Sequence, residues 1–85
     1  MTSWSSRGDR LYRTISRVLN VASSSLSEES SPETIDSWDS LNHINLVMAI
    51  ESEFGVKLTA QDALDMRNVA LIRVILREYG VGGLS

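Results

Sequence analysis

Near the start of the chain the apolar residues Leu11, Ile15, Val18 and Leu19 recur at i, i+4, i+7 and i+8, the stripe of an amphipathic helix. This spacing predicts a first helix over residues 9–20, with Asp9 as its N-cap. Arg7, Arg10, Arg13 and Arg17 fall on the opposite side, where a run of like charges usually means a solvated face. From Val21 to Trp38 the periodicity stops, and SSSLSEESSPETIDSW reads as a long connection holding Pro32, the one proline. Compact domains join helices with a few residues, so a link of this length calls for a reason. Leu26 and Ile35 are isolated apolar residues within it and are expected to pin it to the core.

A second helix is expected over residues 39–54, opened by Asp39 as N-cap and closed by Gly55, the residue that most readily takes the left-handed C′ position. TAQDALDM then predicts a short helix over 60–65 capped by Thr59, and NVALIRVILREYG a final one over 68–79, capped by Asn68 and ended by Gly80. Residues 80–85 read as a flexible tail. No segment alternates with period two for long enough to make a strand. The expected fold is therefore all-α: a small four-helix bundle, three main helices and one short one, with a long loop between the first and second.

On a wheel of about 100° per residue, Leu46, Val47, Ile50 and Phe54 of the second helix share the arc of a core-facing stripe. Leu41, Ile44 and Met48 fall in a separate arc, so one packing surface cannot easily bury both sets. Two readings remain open. Either these three form a docking patch bordered by Glu51 and Glu53, or the long loop folds back and Ile35 or Trp38 covers them. His43 lies at the centre of the core arc and is expected to be half-buried, with one ring nitrogen bonded to a loop group; a pH-sensitive helix is the sharper alternative.

Composition narrows the functional classes. At 85 residues the chain is one small domain, spanning 1–85, and its 42% hydrophobic and 22% charged residues suit a folded chain. The absence of cysteine excludes disulfide scaffolds, Cys-based zinc sites and thiol catalysis. With a single histidine, no metal site is expected. No secretion signal or bilayer-spanning stretch is visible, so a cytoplasmic location and no membrane partner are the expectation. The chain has its own Met1 and should act as a free monomer meeting its partners in trans. Between Arg17 and Lys57 there is no Lys or Arg, while Glu28, Glu29, Glu33, Asp36, Asp39, Glu51 and Glu53 all fall there. Such a surface repels nucleic acid and suits partners with basic patches.

Because Asp39 already fills the cap position, Ser40 is left at the helix start with its hydroxyl in solvent. Unpaired backbone N–H groups and the positive end of the helix dipole favour a phosphate ester there. An enzyme using Ser40 as nucleophile and His43 as base is disfavoured: there is no G-x-S-x-G elbow, His43 points to the core, and a small bundle has little room for a pocket.

The DSL triplet at 39–41, continued by LVMAIESEFG and preceded by a long acidic loop, resembles the acyl carrier protein family over roughly Leu11 to Leu76. The resemblance implies that Ser40 receives a 4′-phosphopantetheine arm from coenzyme A, added by a phosphopantetheinyl transferase, and carries acyl or aminoacyl groups between loading and transferring enzymes without being an enzyme itself. It also implies that Asp39 helps the transferase, that Leu41, Ile44 and Met48 with Glu51 face partners, and that Leu46, Ile50 and Phe54 form the core. Carriers of primary fatty-acid synthesis usually have acids two and five places after the serine, where this chain has Asn42 and Asn45; Trp38 also departs from that group. These departures point to a specialised pathway, polyketide-like or aminoacyl-like, with the housekeeping carrier and an unmodified helical adaptor as alternatives.

Overall fold

The protein is described by a computed structural model covering residues 3–81, with side chains from Arg10 onward. Among the described residues four α-helices follow in order, α1 Ser3–Leu19, α2 Ser40–Phe54, α3 Ala60–Asp65 and α4 Val69–Glu78, with a 3-10 turn at Ser23–Ser25. No strand occurs among the described residues, so the bundle is all-α. α1 begins well before the expected Asp9, which falls inside the helix. SWSSRG carries no apolar period to announce those turns. At the other end Asn20 takes φ 58°, and Val21 N–H donates to the Ser16 carbonyl at 3.1 Å. This is a Schellman closure using asparagine, which tolerates the left-handed region better than most residues.

The core is built where the periodic stripes predict it. Leu11, Ile15 and Leu19 of α1 meet Leu46 and Ile50 of α2, and Ile72 and Leu76 of α4 close the bundle, all fully buried. Each such side chain contributes roughly 1.5–3 kcal/mol of burial. Val18, Val47 and Phe54 are only partly buried and flank this cluster. Phe54 is covered by Arg10, whose guanidinium lies 4.6 Å from the ring centroid while donating to the Glu53 carbonyl. Arg10 and Arg17 both pair with the Glu53 carboxylate. The arginine stripe thus joins α1 to the C-terminal turn of α2, where cations complement the helix dipole. Arg7 belongs to the residues whose side chains lie outside the description.

The long connection is ordered by its own serines. Ser30 Oγ accepts from Ser27 N–H, Thr34 Oγ1 accepts from Ser31 N–H, and Ser37 Oγ donates to the Leu19 carbonyl at 2.6 Å. Short hydroxyl side chains mimic turn backbone in this way, which explains a Ser-rich composition in a structured loop. Leu26 is buried in the core and Ile35 packs against it, as expected. Trp38 is buried as well, with 2% of its surface exposed; the loop therefore supplies a large core residue as well as lesser contacts.

The loop also seals α4. Val69 N–H donates to the Ser30 carbonyl and Ala70 N–H to the Glu28 carbonyl, while Asn68 Oδ1 accepts from Leu71 N–H. Every first-turn donor of α4 is thereby satisfied. The Glu28 carboxylate takes two hydrogen bonds from Arg73 of α4, at 3.0 and 2.8 Å, and one from Tyr12 Oη of α1 at 2.8 Å. Those bonds, the Arg73 ones foremost, hold the Glu28 carboxyl below its ordinary range. Burial and the adjacent Glu28 push the Tyr12 phenol above its own. Such bidentate Arg–carboxylate pairs are among the stronger polar contacts.

α3 starts at Thr59 with a capping box: Thr59 Oγ1 accepts from Asp62 N–H and Asp62 Oδ2 from Thr59 N–H. Tyr79 Oη donates to the same Asp62 oxygen and ties α3 to the end of α4. Met66, just after α3, is almost fully buried, a core position that no periodicity announces. Of the expected tail, Gly80 takes φ 82° and Val81 packs against the core; residues 82–85 lie outside the description.

Candidate functional site

α2 opens in a different manner from α4. Asp39 adopts an extended backbone, and its carboxylate accepts from Asn42 N–H at 2.9 Å, so it caps the helix as predicted. Its carbonyl accepts the next N–H, that of His43. The N–H groups of Ser40 and Leu41 and the Ser40 hydroxyl have no partner among the described residues. Ser40 is exposed. The site is therefore a free hydroxyl beside open helix donors, a setting that tolerates a phosphoester both sterically and electrostatically.

The approach to Ser40 is held in place from below. Trp38 Nε1 donates to His43 Nδ1 at 3.0 Å, and the two rings lie 6.2 Å apart and nearly parallel at 19°. His43 Nε2 sits 2.7 Å from the Ala63 carbonyl. Because Nδ1 accepts, Nε2 carries the proton and donates, so one neutral tautomer satisfies both partners. His43 is half-buried and bonded to a loop group as expected, and its second bond, to α3, adds a link that the sequence pattern did not reveal. Asn42 Nδ2 donates to the Ser37 carbonyl at 2.8 Å and fixes the loop from the other side. With both nitrogens engaged, His43 does not reach toward Ser40 as a base, and a serine-hydrolase arrangement is not formed.

Leu41, Ile44 and Met48 stand 68%, 57% and 54% exposed. Trp38 turns inward and Ile35 packs on the core, so the loop does not cover the three. Leu64 of α3 is exposed too, at 70%; its lone position in a short helix gave no such signal. The acids at the border are used inside the molecule. Glu51 Oε2 accepts from Leu58 N–H at 2.8 Å, and Glu53 holds the two arginines of α1. Among the described residues no cluster of His, Cys, Asp or Glu could hold a metal ion.

A family profile described as the phosphopantetheine attachment site matches residues 9–73 of this chain. The chain belongs to the acyl carrier protein family. In structure the carrier is similar to the solution NMR structure of the holo acyl carrier protein from Geobacter metallireducens, with a TM-score of 0.66, 25% identity, and coverage of 94% of this chain and 93% of that one. Comparison with curated protein sequences gives no match. The prosthetic group of the family is 4′-phosphopantetheine, and the carriers work with a phosphopantetheinyl transferase and with acyl-processing enzymes. No helix among the described residues is long and apolar enough to cross a membrane.

Proposed function

We propose that Ser40 is the attachment point of the phosphopantetheine arm and that this carrier shuttles acyl or aminoacyl groups as a non-catalytic monomer. One observation supports this most: an exposed, unpartnered hydroxyl on the first residue of a capped helix, next to Asp39. In loading, the serine oxygen forms an ester bond to a phosphorus of coenzyme A, the pyrophosphate link breaks, adenosine bisphosphate leaves, and the serine proton passes to the transferase. The arm supplies a terminal thiol that holds cargo as a thioester. Ser40 provides the anchor, the open N–H groups of the first turn favour the phosphate, and Asp39 offers its remaining carboxylate oxygen to the transferase. Leu41, Ile44 and Met48 form the apolar face for partner enzymes. Glu51 borders that face as a further partner contact, with one carboxylate oxygen accepting from Leu58 N–H.

Incubation of the full chain with coenzyme A and a broad-specificity transferase, followed by intact mass measurement, tests the assignment. A gain of one arm that disappears in Ser40→Ala is the expected result. A gain that survives in Ser40→Ala refutes it, and so does no gain in the native chain. We further propose a specialised pathway. Asn42 replaces a charge with an amide bonded to the loop, and Asn45 donates to Asn42 Oδ1. Two charges that would steer a basic partner are absent from this helix. Synthases of bulk fatty-acid elongation should extend the loaded carrier poorly compared with their own carrier, and equal use of the two would remove the proposal.

A further inference from the structure

A cleft of about 580 Å³ opens beside Ser40, between the loop and α3. It lies within the range of small-ligand clefts, roughly 300–1,000 Å³. Trp38, Leu64 and Met66 give it apolar lining, and His43, Ser40 and Arg67 line it as well. Among the described residues Arg67 is its sole Lys or Arg, and the guanidinium has no partner there. The acids of the cleft, Glu33 and Asp39, are already engaged, accepting from Ser31 Oγ and from Asn42 N–H. Ser40 itself sits in the acidic stretch that holds no cation between Arg17 and Lys57.

A phosphodiester on Ser40 would add a further negative charge to that surface, and among the described residues the one cation lining the same cleft is Arg67. Guanidinium groups bind phosphate oxygens through paired N–H donors. We infer that Arg67 is the counter-charge of the phosphodiester on Ser40 and lays the first part of the arm along this cleft, against the apolar walls of Leu64 and Met66. The inference rests on Ser40 being the attachment residue. It assigns Arg67 a positioning role: the arm leaves Ser40 toward α3 in place of extending freely into solvent.

The test compares amide spectra of the isotope-labelled full chain before and after loading with coenzyme A and a transferase, with intact mass as a separate readout. Loading is expected to move the amides of residues 63–67 and the Trp38 indole N–H as well as those of residues 40–42. Raising salt to about 1 M, where the screening length falls to about 3 Å, should reduce the shifts at 63–67. Arg67→Gln should lose the shifts at 63–67 and keep those at 40–42, while Arg67→Lys retains part of them. Failure of the native chain to gain mass would overturn the attachment reading and this inference together. A mass gain with silent amides at 63–67, or identical shifts in Arg67→Gln, would overturn the inference alone.

Discussion

Replacing His43 with alanine tests the hydrogen-bonded link beside the proposed attachment residue, Ser40. The change removes the acceptor of Trp38 Nε1–H and the donor to the Ala63 carbonyl, bonds of 3.0 and 2.7 Å. A typical protein hydrogen bond contributes about 1 kcal/mol net, but a buried donor left without a partner costs about 1–3 kcal/mol. Trp38 is 2% exposed and cannot easily regain water, whereas Ala63 is half-buried and its carbonyl partly can. The expected loss is therefore about 2–3 kcal/mol, a sizeable part of the roughly 5–15 kcal/mol that holds a domain together. At about 4–8 °C per kcal/mol for a domain of this size, the melting temperature should fall by about 10–20 °C. Trp38→Phe removes the donor from the other side, and the double variant isolates the pair, because the Ala63 contact cancels in the cycle. Urea unfolding followed by far-UV circular dichroism at pH 7 avoids reliance on tryptophan fluorescence. The two changes together should cost less than their sum by about 1 kcal/mol or more. Additivity within about 0.5 kcal/mol would mean that no energetic link joins the two rings, and the reasoning would fail.

Four further outcomes can be measured. Glu28→Gln should cost about 1 kcal/mol at pH 7, since the carboxylate is partly solvated and screening tempers its pair with Arg73. The Glu28 carboxyl is held below its ordinary range, so its stabilisation is present above the unfolded-state value and is lost as pH falls through the folded one; urea midpoints of the native chain should drop across that acid window more than those of Glu28→Gln. Leu46→Ala, in the fully buried part of α2, should cost about 2–5 kcal/mol by chemical unfolding. Ile44→Asp, at an exposed position, should change stability by no more than about 0.5 kcal/mol yet lower kcat/KM for loading by a transferase severalfold.

How much of this could be read from the chain depended on whether the signal was local. Asp39 and Gly55 mark the ends of α2 because a cap and a left-handed residue act on their immediate neighbours. The buried Leu46 and Ile50 and the separate arc of Leu41, Ile44 and Met48 likewise follow from helical geometry, but only the packing of Trp38 and Ile35 into the core decides that the loop leaves that arc exposed. The exposed hydroxyl of Ser40 was legible because Asp39 had already taken the cap. The early start of α1 was not, since its first turns carry no apolar period. Trp38 and Met66 enter the core from irregular segments, where no repeat distinguishes an inward from an outward residue. Glu28 looked like one more acid in an acidic loop. Only its long-range bonds to Tyr12 and Arg73 give it an individual role. Arg67 and Leu64 gained meaning in the same way, by sharing a cleft with Ser40.

The carbonyls of Ser30 and Glu28 that receive the first amides of α4 make the connection and that helix open together. Deuterium uptake at Val69 and Ala70 should therefore follow the breathing of the distant segment around residue 29, not fraying of the helix to which they belong. Those two amides are a built-in gauge of how often the acidic strap lifts away from the bundle.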